Sequence, residues 1–100
     1  MRRKPPLDVA LQAKKGLELR SKMPPSKKGG TSVGIARARD LSNRRAVSDK
    51  TIMRMDSFFS RHSTYKKTAT SKGNQAWLLW GGNAGRKWAK QEKKKILEEQ

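Results

Sequence analysis

Apolar positions recur at helical spacing along this chain, and no stretch alternates with the two-residue period of a strand. Val9, Ala10, Ala13 and Leu17, with Leu11 beside them, form a weak apolar face over residues 8–22. Asp8 sits where a cap or first-turn carboxylate belongs, Gly16 counts against the helix, and Met23-Pro24-Pro25 ends it. Residues 24–32, PPSKKGGTS, read as a flexible basic linker. Thr31 or Ser32 is the expected cap of a helix over about 33–44, whose apolar side is Val33, Ala36 and Leu41 with Ile35 and Ala38 adjacent. After a break at Arg45-Ala46-Val47, Ser48 caps the clearest amphipathic helix, residues 49–61. Its Ile52, Met55 and Phe59 lie at i, i+3 and i+7, with Phe58 adjacent.

Residues 62–75 hold five Ser or Thr, three Lys and a Gly, and read as a loop. Helix resumes near Gln75 and runs through Trp80. Gly81-Gly82 breaks it, and Asn83 is the expected cap of a last helix over 84–98. Three Lys ahead of two Glu oppose the helix dipole there, which predicts a frayed end. The fold class is all-α: a small compact helical domain of four short helices over residues 31–90. Residues 1–30 are expected as an extended basic arm and linker that can hold a short helix, and residues 91–100 as the charged tail of a basic C-terminal helix. The predicted core is Val33, Leu41, Ile52, Met55, Phe59, Trp77, Trp80 and Trp88.

Charge changes this picture more than any other property. The 100 residues carry 25 Lys plus Arg against 8 Asp plus Glu, a formal charge of +17. Residues 1–30 contribute +7, residues 31–62 contribute +4 and residues 63–100 contribute +6, so no single tail holds it. Such a chain repels itself when compact and attracts polyanions at long range. Apolar residues make up 33%, which limits the core and makes a charge-cancelling partner stabilising. Without cysteine there are no disulfides or thiolate metal sites. No apolar run approaches the roughly 20 residues of a membrane span, so no membrane association is expected.

Candidate chemistry is sparse. The eight carboxylates are scattered; Asp49 and Asp56 share one predicted helix without completing a metal or acid–base site. His62, the only histidine, ends a helix, where an imidazole suits the dipole. No phosphate loop is complete: the glycine spacing from Gly29 to Gly34 is right, but Ile35-Ala36 stands where Lys-Ser/Thr is required. Gly81-Gly82-Asn83-Ala84-Gly85 reads as an interhelical turn, with Gly85 letting helices approach closely. No enzyme, cofactor, metal or small-molecule substrate is expected.

What remains is anion binding. The helix–break–helix over 33–61 resembles a helix-turn-helix, which would make Lys50, Thr51 and Arg54 base readers and put Arg44 and Arg45 on phosphate. The plainer alternative is an αα-hairpin with a basic face, and the connection lacks the usual turn glycine. The further phosphate-binding candidates are Arg37, Arg39, Lys66, Lys67, Arg86 and Lys87. Trp77, Trp80 and Trp88 are better read as core than as platforms for unpaired bases.

Three blocks carry a resemblance. They are GGTSVGIARARDL from Gly29 to Leu41, RMDSFFSRH from Arg54 to His62, and AWLLWGGNAGRKWA from Ala76 to Ala89. In this order they resemble a small uncharacterised domain of double-stranded DNA viruses and tailed phages, over about residues 29–89. Related segments carry acidic residues after the Arg-His and at the position of Asn83. This copy has Ser63 to Tyr65 and Asn83 there and is more basic. The resemblance implies a context, a viral particle or its DNA, and hence virion localisation. The first expectation is therefore a non-enzymatic, virion-associated protein that binds nucleic acid, DNA above all, through phosphate contacts. The alternatives are a minor capsid or structural protein whose basic arms bind acidic surfaces of other capsid subunits, and a helix-turn-helix-like regulator.

Overall fold

A computed structural model describes residues 2–62 and 71–99. It is all-α, as the periodicity predicts, with five helices: α1 (Leu7–Ser21), α2 (Ser32–Ser42), α3 (Asp49–His62), α4 (Lys72–Leu79) and α5 (Gly82–Glu98). One antiparallel contact that no alternation announced joins β1 (Arg2–Arg3) to β2 (Val47–Ser48), pairing Arg2 with Ser48 and Arg3 with Val47. It is two residues long, and the Arg3 side chain ties it to α3 and to the segment after α5.

Two caps follow the sequence, and a third, Ser71, starts α4 ahead of the expected Gln75. Thr31 accepts from the Gly34 N–H at 3.2 Å, Ser48 from the Thr51 N–H at 3.2 Å and Ser71 from the Asn74 N–H at 3.1 Å. α2 ends in a Schellman closure: the Arg44 N–H donates to the Leu41 carbonyl and the Arg45 N–H to the Asp40 carbonyl. Arg44 takes the left-handed position, φ 53°, where glycine is usual. Its Nε donates to the Pro5 carbonyl at 3.0 Å, which helps to hold it there.

Residues 1–30, expected as an arm and linker, are instead built into the fold. α1 packs on α2 and α4, with Val9, Ala10 and Ala13 buried. Gly16 is the position that allows this: a Cβ there would meet the Leu79 backbone nitrogen at 2.7 Å. The glycine that counted against the helix is therefore its docking point on α4. The supposed linker is pinned by Gln75, which is fully buried. Its Oε1 accepts from the Gly29 N–H at 2.7 Å, and its Nε2 donates to the Lys27 carbonyl at 3.0 Å. A single 3-10 turn, Pro25–Lys27, shapes the segment between.

Leu41, Ile52, Met55, Phe59, Trp77, Trp80 and Trp88 all lie in the core. Val33 does not; it is 49% exposed. α2 turns Gly34, Ala38 and Leu41 inward instead, with the Trp80 indole closely against Gly34, where a Cβ would lie 3.2 Å from its Nε1. The tryptophan helix does not run through the glycines. Gly81 and Gly82 have φ of 108° and 62°, and the reversal between α4 and α5 requires both. Gly85 closes the turn, since a Cβ there would meet the Trp80 carbonyl oxygen at 2.6 Å. Asn83 does not cap α5; Gly81 holds that place, and Asn83 Oδ1 accepts from Trp77 Nε1 at 2.9 Å. Of the loop expected over 62–75, residues 63–70 lie outside the described residues, while His62 ends α3 and residues 72–75 are helical.

Candidate functional site

The carboxylates decide which cations are free. Arg3, 7% exposed, sits where the start of α3 meets the end of α5. Its Nε donates to Asp49 at 3.2 Å, its Nη2 reaches Glu99 at 3.1 Å, and its Nη1 lies 3.6 Å from Glu92. Burial alone would lower the pKa of this guanidinium, but hydrogen bonds and charge from Glu99 and Asp49 outweigh it and hold it above its ordinary value. The C-terminal glutamate expected to fray α5 is thus an anchor, and the tail is continuous with α5. Nothing in the sequence spacing pointed to Arg3, because its three partners lie 46, 89 and 96 positions away.

Further acids are taken up in the same way. Asp56 accepts from Lys93 at 2.9 Å, Glu92 also pairs with Lys95 at 3.1 Å, and Asp40 pairs with Arg37 at 3.4 Å and Arg45 at 3.6 Å. The sequence-predicted phosphate ligands therefore divide. Arg37, Arg44 and Arg45 are tied to Asp40 or to the Pro5 carbonyl, whereas Arg39 is exposed. Thr51 does not point outward as a base reader; its Oγ1 lies 3.1 Å from Ser48 Oγ within the α3 cap. Lys66 and Lys67 lie outside the described residues. Lys50, Arg54, Arg86 and Lys87 are exposed and have no ion-pair partner among the described residues.

The structure groups these free cations on two faces. On α5, Arg86, Lys87, Lys90 and Lys94 share the outer side. Eight residues of helical rise set Arg86 and Lys94 about 12 Å apart, a length that faces three to four phosphates of one strand at roughly 3.4 Å each. On α3, Lys50, Arg54 and Arg61 follow one stripe opposite the buried Ile52, Met55 and Phe59. This stripe edges a cleft of about 820 Å³ whose apolar surface includes Val33, Met53, Phe58 and Trp80.

The packing does not set α2 against α3 as a helix-turn-helix would. α2 packs on α1 and α4, and α3 packs on α5, so α2 and α3 scarcely touch. In a helix-turn-helix the first helix crosses the backbone beside the recognition helix; here a cleft lies between the two. His62 ends α3, its Nδ1 donating to the Phe58 carbonyl at 2.8 Å. Its ring stacks on Phe58 at 4.3 Å, and Phe58 stacks on Trp80 at 4.8 Å. Among the described residues, no three His, Asp or Glu side chains gather where they could hold a metal ion. No helix among them is long and apolar enough to cross a membrane.

No family model matches this chain, and no curated protein or solved structure matches it either.

Proposed function

We propose that this is a non-enzymatic, nucleic-acid-binding protein that holds phosphates through cations its own carboxylates leave uncompensated. The observation that carries the reading is the outer face of α5. Arg86, Lys87, Lys90 and Lys94 stand exposed there, while Glu92 and Glu99 of the same region turn inward to Arg3. Side chains on one helical face at this spacing meet successive phosphates without reading bases, so binding is expected to be steeply salt-dependent and tolerant of sequence. Lys50 and Arg54 add to the field on α3. The resemblance of residues 29–89 to a domain of DNA viruses and tailed phages makes double-stranded DNA in a viral particle the proposed partner and setting.

Fluorescence anisotropy with random-sequence duplex DNA across a salt series tests this, with an acidic protein as comparator. The reading expects DNA to be preferred and each contacting cation to contribute about −0.9 to the slope of log K against log salt. Equal affinity for the acidic protein would overturn it.

A further inference from the structure

The cleft beside α3 sets cations of the phosphate-binding field against apolar surface that phosphate binding does not use. Its lining includes Lys50, Arg54 and Arg61 and no carboxylate among the described residues. None of these three has an ion-pair partner among the described residues. At about 1.5 Å per residue they span about 16 Å along α3, three helical turns. Beside them lies apolar surface: Val33 is 49% exposed, and Met53 is half-buried. A solvated basic face needs no such floor, and a phosphate backbone gains nothing from it.

The chemistry of the floor selects among anions. Unpaired bases bind by stacking on open aromatic faces. Phe58 and Trp80 are 6% and 8% exposed and spend their ring faces on each other and on His62. What the cleft offers is the aliphatic surface of Val33 and Met53 and ring edges, which suit leucine-like side chains. An apolar groove bordered by a row of like charges is the complement of an amphipathic helix of opposite charge.

We propose that the cleft between α2, α3 and α4 is a docking site for an acidic amphipathic helix of a partner protein. Its apolar side chains sit on Val33, Met53 and the edges of Phe58 and Trp80. Its carboxylates pair with Lys50, Arg54 and Arg61. This goes beyond nucleic-acid binding and does not depend on it, because the α5 face stays free for phosphate. The acidic face steers the encounter and the apolar contacts hold the complex, so affinity requires both.

The test uses the full chain and a fluorescent helix-forming peptide of about 14 residues, with leucines at i, i+3, i+4 and i+7 and glutamates flanking them. Val33→Asp introduces a charge at an exposed position and does not threaten folding. It is expected to weaken peptide binding at least about tenfold, as is the pair Lys50→Glu/Arg54→Glu. The pair Lys87→Glu/Lys90→Glu leaves peptide binding within about twofold, since it lies outside the cleft. In the same peptide, replacing the leucines with serine abolishes binding. Three results would overturn the proposal: a serine peptide that binds as well, binding indifferent to Val33→Asp, or single-stranded DNA displacing the peptide through a Val33-dependent site of higher affinity. Loss of duplex binding in Lys87→Glu/Lys90→Glu with peptide binding intact separates the two sites.

Discussion

Arg3 and Lys90 are both cations of a chain with net charge +17, yet they lie in opposite electrostatic regions. Arg3 is buried among Asp49, Glu92 and Glu99 and ties the N-terminal segment to the start of α3 and the end of α5. Lys90 stands on the outer face of α5 with Arg86, Lys87 and Lys94, with no carboxylate partner among the described residues. The difference teaches that in so basic a protein the scarce acids assign the roles. Where they gather, a cation holds the fold; where they are missing, cations face outward together and form a field that only an external anion can neutralise.

The strongest way to break the comparison is Arg3→Met. It leaves three carboxylates facing one another and frees the β1–β2 contact. Thermal unfolding by circular dichroism is expected to show the largest fall in Tm of any single cation substitution, because it leaves a partly buried cluster of like charges uncompensated. The raised pKa of Arg3 gives a second check. Its contribution is complete at every pH below the unfolded value and is lost only as pH rises through the higher folded value. Arg3 therefore adds no titration step to Tm across the neutral range.

A smaller effect is expected from Lys93→Ala, which unpairs Asp56 at a side chain 37% exposed; screening by solvent limits the loss to about 1 kcal/mol. Chemical denaturation reads it. Smaller still is Lys87→Ala/Lys90→Ala. Stability stays within about 0.5 kcal/mol or rises slightly as self-repulsion falls, while the salt slope of DNA binding loses about 0.9 per cation removed. Arg45→Ala closes the series. Its side chain is 67% exposed and its contact with Asp40 is 3.6 Å, so no measurable change in Tm is expected.

Helix type and placement were legible because capping and periodicity are local. Thr31, Ser48 and the Ile52–Met55–Phe59 series announce themselves within a few residues. Misreadings arose where a distant partner decided. Gly16 and Gln75 look unfavourable or neutral in sequence, and only the packing of α1 on α4 and the polar backbone of residues 27–29 give them their roles. The spacing of its neighbours predicts Val33 inward, whereas Gly34 takes the place against Trp80 and Val33 stands exposed. Basic composition does not distinguish one cation from another. Arg37, Arg44 and Arg45 could be separated from Lys50, Arg54, Arg86 and Lys87 only by acceptors such as Asp40 and the Pro5 carbonyl, and the Arg3 cluster joins opposite ends of the chain.

The most direct measurement compares two neighbours on α5. Binding of duplex DNA is followed against salt for the wild-type protein, Lys90→Ala and Lys93→Ala, with Tm recorded for each. The account predicts that Lys90→Ala reduces the slope by about 0.9 and leaves Tm unchanged, and that Lys93→Ala lowers Tm and leaves the slope near wild type. Equal loss of slope from both, or from neither, would contradict it.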